Sequence, residues 1–231
     1  MLRAAEIASQ NQSSMADVLA NTGNVMVQKS QLGGGSPIIR GFEANRVLLV
    51  IDGVRMNNAI YRSGHLQNSI TINPNSLERT EVIYGPSSVG YGSDALGGVV
   101  HFYTKTPKIN NTKKWITGGI SSYNSRLNNI VQNLDLEFSS NKWASYTNFS
   151  FSKFGDIVMG NNRKHGFDDW GLDNHYLYPG EYNDSIIIND NPEIQQNTSR
   201  FSHSHHQLFA VLDIGNPFRI VRADFSFQYN L

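Results

Sequence analysis

From Ile72 to Lys105 the chain reads INPNSLERTEVIYGPSSVGYGSDALGGVVHFYTK, and no other stretch restricts the fold as strongly. Thr80 to Tyr84 is β-prone and stops at Gly85-Pro86, while Val99, His101 and Tyr103 alternate with Val100, Phe102 and Thr104. Five of the chain's 20 glycines lie between these two runs. Gly90, Gly92, Gly97 and Gly98 can each take a positive φ or let another backbone come close. The pattern predicts strand, tightly folded crossing, strand, with the crossing pressed against other parts of the fold.

Two phosphate-binding interpretations of these glycines fail on their neighbours. Gly90-Tyr91-Gly92-Ser93-Asp94-Ala95 has the letters of a dinucleotide fingerprint, which needs a helix starting in the loop. Gly97-Gly98 and the β-branched Val99-Val100 follow instead, and no acidic residue stands where a ribose would need one. Gly85 and Gly90 have P-loop spacing, but Tyr91-Gly92 occupies the positions of Lys and Ser or Thr.

Composition narrows the classes further. With 19 basic and 19 acidic residues, the zero net charge offers no electrostatic case for nucleic acid. Met1 to Glu6 carries no apolar signal-peptide core, and no apolar run approaches the roughly 20 residues of a spanning helix. A membrane role must therefore come from strands. The absence of cysteine suits an envelope protein and a cytosolic one alike.

Along the chain, Ser14 and Asp17 resemble a capping box for a short helix with Met15, Val18 and Leu19 on one face. Val47 to Ile51 reads as a buried strand closed by Asp52-Gly53, a pair suited to a type I′ hairpin. Asn57 to Asn68 is a loop presenting Tyr61, Arg62 and His65, candidate ligand-binding residues because loops on a rigid sheet concentrate binding. After Pro107 the pattern changes. Leu134, Leu136 and Phe138 alternate with polar residues, as do Val221, Ala223, Phe225, Phe227 and Tyr229. Segments near Trp115–Tyr123, Trp143–Phe154 and His205–Ile214 do so less cleanly. Ser140-Asn141 and Gly215-Asn216-Pro217 read as short turns, and Gly155 to Arg200 as a long polar loop. Short turns on one side and long loops on the other mark outer-membrane barrels, although a soluble antiparallel sandwich also alternates.

Arg40-Gly41, the VLLVIDGV strand pair and LERTEVIYGPSSVGYGSDALGGVV stand in the order and spacing of the plug domain of TonB-dependent outer-membrane receptors, and the chain resembles that family. The wording around Asp52 to Asn68 and Tyr91 to Lys105 is most similar to the haem and haemoglobin receptor branch. The resemblance implies an α+β plug over residues 1–107, then antiparallel strands of an incomplete transmembrane β-barrel over 108–231. It implies TonB-energised import of an iron complex such as haem or a siderophore across the cell outer membrane, with the inner-membrane TonB complex, outer-membrane lipid and the iron ligand as partners. A stand-alone plug-like binding or signalling module is the alternative. A receptor of this kind needs a signal peptide, a TonB-contacting segment and more barrel, so the chain is expected to be an interior or truncated piece.

The same resemblance assigns Arg40, Arg79 and Glu81 to ion pairs that hold the plug in its barrel, and makes Gly41, Gly53, Gly85, Gly92, Gly97 and Gly98 structural. Tyr61, His65 and His101 are of the types that ligate haem iron. No resident cofactor, metal site or catalytic set is expected. His203 and His205 share a strand face while His206 points away, which is too few donors for an ion.

Overall fold

The computed structural model describes residues 1–12, 14–28, 35–43, 46–56, 69, 72–85, 90–92, 95–125, 128–160, 171–180, 183–196, 201–212 and 219–230, the strands beyond 200 by their backbone paths. The chain opens with β1 (Leu2–Arg3), α1 (Ala4–Ser9), α2 (Met15–Ala20), β2 (Met26–Gln28), β3 (Ser36–Ile38), β4 (Val47–Ile51) and β5 (Val54–Arg55). A 3-10 turn at Pro74–Ser76 leads into β6 (Leu77–Ile83), and the glycine-rich crossing delivers the chain to β7 (Gly98–Thr104). These form a five-stranded sheet in the order β1-β6-β7-β4-β5, with a separate β2-β3 hairpin.

The helix expected after Ser14 is α2: the Ser14 hydroxyl accepts from the Asp17 N–H at 3.3 Å and donates to the Asp17 carboxylate at 2.6 Å. Its buried face carries Met15, Val18 and Leu19. The sheet is covered on both sides. Val47, Leu49, Val100 and Phe102 pack with Ile7, Met15, Val18 and Leu19, while Leu48, Val50 and Val99 pack with Ala95 on the opposite face. Burial of apolar side chains at roughly 1.5–3 kcal/mol each holds this layer together. Asp52 and Gly53 both take positive φ, 46° and 86°, as a type I′ turn demands.

Two features lay beyond the sequence patterns. β4 runs parallel to β7, pairing Val47 with Gly98 through Ile51 with Phe102. β1 and α1 were not expected; Glu6 accepts the Arg3 N–H at 2.7 Å and so starts α1. The crossing is pressed tight, as expected, at Gly97 and Gly98. A Cβ on Gly97 would stand 2.5 Å from the Phe42 Cβ, and one on Gly98 2.8 Å from the Ile83 carbonyl. Gly41, Gly53, Gly85 and Gly92 have positive φ. Gly90 corrects the expectation: it has no positive φ and, among the described residues, no neighbour within 4 Å, so neither strain nor a described contact demands glycine there.

The second sheet contains β8 (Lys114–Asn124), β9 (Asn129–Ser139) and β10 (Trp143–Lys153), then β15 (Phe201–Leu212) and β16 (Arg219–Asn230). Its order is β16-β15-β10-β9-β8, antiparallel throughout, with β8 and β16 as open edges among the described residues. The long polar segment after β10 carries two small hairpins. One pairs β11 (Ile157–Val158) with β14 (Ile194–Gln196), the other β12 (His175–Tyr178) with β13 (Ser185–Ile188). The expected turn at Ser140-Asn141 joins β9 to β10, and the one at Gly215 to Pro217 lies outside the described residues.

The second sheet is inverted relative to a soluble one. On β9 the polar Asn129, Asn133 and Ser139 are buried, while Ile130, Leu134 and Leu136 are exposed. β10 repeats this: Asn148, Ser150 and Ser152 are buried, whereas Phe149 is 49% exposed. The polar face lies against the first sheet and the apolar face turns outward. At one end Trp115, Phe138 and Trp143 stack in series, with ring centroids 4.7 and 4.5 Å apart.

Candidate functional site

The two sheets meet through a buried polar cluster. Asn73 begins the turn before β6, Lys105 directly follows β7, and the Lys105 N–H donates to the Ser76 carbonyl at 3.0 Å, so the two plug residues are brought together. On the other side, alternation places Asn133 and Asp135 of β9 beside Asn148 and Tyr146 of β10 on the inward face, with Asp135 paired to Asn148. Asn73 Nδ2 donates to Asn133 Oδ1 at 3.0 Å and to Asn148 Oδ1 at 2.7 Å. Asn148 Nδ2 donates to Asn133 Oδ1 at 2.9 Å and Asp135 Oδ1 at 2.6 Å. Asp135 is the hub: its Oδ1 also accepts from the Tyr146 hydroxyl at 2.7 Å, and its Oδ2 meets Lys105 Nζ at 3.1 Å. The first sheet is thus tied to the second by side-chain amide hydrogen bonds and, among the described residues, one ion pair, all exchangeable with water.

A second cluster lies on the opposite face of the plug sheet from the helices. Arg79 and Glu81, two residues apart on β6 and therefore on one face, pair at 2.9 Å. The Arg79 guanidinium lies 3.6 Å from the Tyr103 ring centroid, and the Tyr103 hydroxyl donates to Glu81 Oε2 at 3.3 Å. The hydrogen bond from Arg79 lowers the Glu81 carboxyl below its ordinary range. Tyr103 stacks on His101 with centroids 4.0 Å apart. His101 accepts the Gly53 N–H at Nε2, 3.1 Å, and its Nδ1 meets the Tyr91 hydroxyl at 3.1 Å. Both ring nitrogens are occupied, and burial pushes the imidazole below its usual pKa, against the pull of Glu81 and Asp52. Asp52 clamps the end of β7, accepting from the Thr104 N–H at 2.9 Å and hydroxyl at 2.6 Å.

These positions bear on the sequence expectations as follows. Arg79 and Glu81 pair with each other. Arg40 sits apart from them in a turn, exposed, its guanidinium 5.6 Å from the Tyr84 ring centroid. Tyr61, Arg62 and His65 lie outside the described residues. Asn73, Lys105, Asn133, Asp135, Tyr146 and Asn148 were not singled out by sequence; Asn73 is 60 and 75 residues from its two partners, and a polar residue on an alternating strand looks solvated until its cover is known.

The direction of the plug follows from its exit. The Asn110 N–H donates to the Ser140 carbonyl at 3.0 Å, so the C-terminal end of β7 lies on the side of the short β9–β10 turn. Gly98, Ile83 and, through the parallel pairing, Val47 lie at the other end, toward the long segment after β10.

Residues 1–99 match the family profile of the TonB-dependent Receptor Plug Domain. The vitamin B12 transporter BtuB of Vibrio vulnificus is 42% identical over 103 residues, 43% of this chain and 16% of that protein. The hemin receptor of Yersinia enterocolitica is 36% identical over 97 residues, 42% of this chain and 14% of that one. Among solved structures, the copper transporter OprC superposes with a TM-score of 0.70 at 15% identity, covering 96% of this chain and 30% of that chain. The matches to these curated relatives span about a sixth of their length or less. The superposition extends past the plug through the antiparallel strands, so plug and wall together have that fold.

Proposed function

We propose, from the match of residues 1–99 to the TonB-dependent receptor plug domain profile, that the chain is the plug and leading wall of an outer-membrane importer that takes up an iron complex such as haem or a siderophore under the pull of the TonB complex. The division into plug and wall falls near residue 107. The observation that carries this reading is the inverted wall: buried Asn133, Asn148 and Ser150 back to back with exposed Leu134, Leu136 and Phe149. A soluble sandwich would bury the second set and expose the first. Lipid outside and a wet lumen inside call for this arrangement. Three strands of 11 residues each fit the length of a transmembrane β-strand. The five long strands of this sheet among the described residues are fewer than the minimum of about 8 in a closed bacterial single-chain barrel.

In this reading the long segment after β10 faces the outside and receives the ligand with the plug end nearest it. Tyr61, Arg62 and His65, which lie outside the described residues, are assigned to ligand contact in the same reading. Arg79 and Glu81, half-exposed and satisfied by each other, can exchange partners with wall charges when the plug shifts. The hemin receptor among the relatives supports an iron-complex ligand by its name.

The wall reading is tested with single cysteines, for which the cysteine-free chain provides a clean background. Bimane attached at Leu134→Cys or Phe149→Cys should be quenched by nitroxide-labelled lipid, while bimane at Asp135→Cys or Ser150→Cys should not. Equal quenching from both faces, or from neither, rules out a lipid-facing wall.

A further inference from the structure

Three parts of the first sheet meet on one buried imidazole. His101 stands on β7, only 6% exposed, beneath the exposed Asp52-Gly53 turn. In that two-residue hairpin Ile51 pairs with Val54, so the Gly53 N–H is left outside the strand pairing, and it donates to His101 Nε2 at 3.1 Å. On the other side of the ring Nδ1 meets the Tyr91 hydroxyl of the crossing at 3.1 Å, and the ring face stacks on Tyr103.

These contacts fix where the protons sit. A ring nitrogen that accepts carries no proton, so the single proton of neutral His101 is on Nδ1 and donates to the Tyr91 oxygen. A second proton goes to Nε2, where it points at the Gly53 N–H. Two donors then face each other and the bond to the turn is lost, while the bond to Tyr91 is unchanged. Around the ring, the described titratable and charged groups are Arg79 and Glu81 of β6, Tyr103 of β7, Tyr91 of the crossing, Asp52 of the turn and Arg55 of β5. Burial opposes the imidazolium most strongly and Arg79 adds to it, whereas Glu81 and Asp52 favour it.

The turn has one side that titrates and one that does not. The Asp52 N–H donates to the Phe102 carbonyl at 2.9 Å, and the Asp52 carboxylate holds the Thr104 N–H and hydroxyl, none of which involves the imidazole. Beyond Gly53 comes β5, two exposed residues at the edge of the sheet, with the Met56 N–H donating to the Leu49 carbonyl at 2.8 Å. We propose that His101 is an acid-released latch: neutral, it holds Gly53 and the edge strand β5 on the sheet, and a proton on Nε2 releases both while Asp52 and the crossing stay in place. The latch is a property of the first sheet and does not rest on the importer reading.

The test is amide exchange followed by NMR on the whole chain in neutral detergent, each rate taken relative to an unstructured amide at the same pH. Between about pH 7.5 and about pH 5 the protection of Gly53 should fall roughly tenfold, with about thirtyfold as the ceiling set by an ordinary imidazole pKa of about 6.5. The Asp52 and Thr104 amides should keep their protection. His101→Gln, which does not titrate, should give the same Gly53 protection at both pH values. In the unsubstituted chain, nitrogen NMR shifts of the imidazole should show a protonated Nδ1 and a bare Nε2 at about pH 7.5. Gly53 protection that ignores pH, a pH response that persists in His101→Gln, loss of protection at Gly53, Asp52 and Thr104 together, or a neutral ring protonated on Nε2 overturns the latch.

Discussion

Replacing Asp135 by alanine should loosen the plug far more than removing the charge of its ion-pair partner. Its carboxylate accepts from Lys105, Tyr146 and Asn148, at 3.1, 2.7 and 2.6 Å. The side chains of Lys105 and Asp135 are 35% and 20% exposed, so the ion pair by itself contributes about 1 kcal/mol or less. The other two bonds run to a buried hydroxyl and a fully buried amide. Removing a charged acceptor from buried donors costs about 1–3 kcal/mol for each donor left unsatisfied. Asp135→Ala should therefore cost about 3 kcal/mol, whereas Asp135→Asn, which retains an oxygen for Tyr146 and Asn148, and Lys105→Met should each cost about 1 kcal/mol. Hydrogen exchange read on peptides spanning residues 72–84 and 98–107 measures the opening directly. About 3 kcal/mol corresponds to exchange roughly 150-fold faster. If Asp135→Ala and Asp135→Asn exchange at the same rate, or Lys105→Met exceeds both, Asp135 is not the hub.

Three further outcomes follow from local geometry. Gly97→Ala should destabilise the plug by about 1–3 kcal/mol, since its Cβ would meet Phe42 at 2.5 Å and the Arg46 carbonyl at 3.1 Å, while Gly90→Ala should stay within about 0.5 kcal/mol; equal urea midpoints would refute the close approach. Asp52→Ala should speed exchange of the Thr104 amide more than Asp52→Asn does, because asparagine keeps an acceptor for that N–H. Burial depresses the His101 pKa, so the unfolded chain takes up a proton near pH 6.5 before the folded one does. The stability from neutral His101 is then full above about pH 6.5 and declines as pH falls below it, a slope that His101→Gln should flatten and that identical pH profiles would disprove.

What the sequence made legible follows from period and proximity. Of the five long wall strands, β9 and β16 announce themselves because apolar and polar residues alternate along them, β8, β10 and β15 less cleanly, and the Asp52-Gly53 turn is legible because its chemistry is local. Period 2 also places Arg79 and Glu81 on one face, so their mutual pairing was within reach of the same rule that found the strands. β1 was not legible, since two residues carry no period. α1 was hidden because arginine at its start is not a usual cap, leaving Glu6 as the sole signal. The parallel β4–β7 pairing and the Asn73, Asn133 and Asn148 cluster are non-local: each depends on what the fold brings opposite, which no window along the chain contains.

The two kinds of contact set the easier route for plug movement. Inside the plug, Leu49, Val100 and Phe102 on one face and Leu48, Val50 and Val99 on the other are almost wholly buried, and exposing each costs roughly 1.5–3 kcal/mol with nothing in water to replace it. Between plug and wall, the described contacts include the amides of Asn73, Asn133 and Asn148 and the Lys105–Asp135 pair, and a neutral bond of this kind is worth roughly 1 kcal/mol net because water takes it over. Asn133 Nδ2 and Asn129 Oδ1, buried with no bonding partner among the described residues, gain on exposure. A force on the plug therefore meets less resistance in sliding the sheet along a polar wall than in prying the sheet open. In the importer reading, the contact nearest the exit of β7 would yield by exchanging its bonds with water, while the two-sided apolar sheet would travel as a unit.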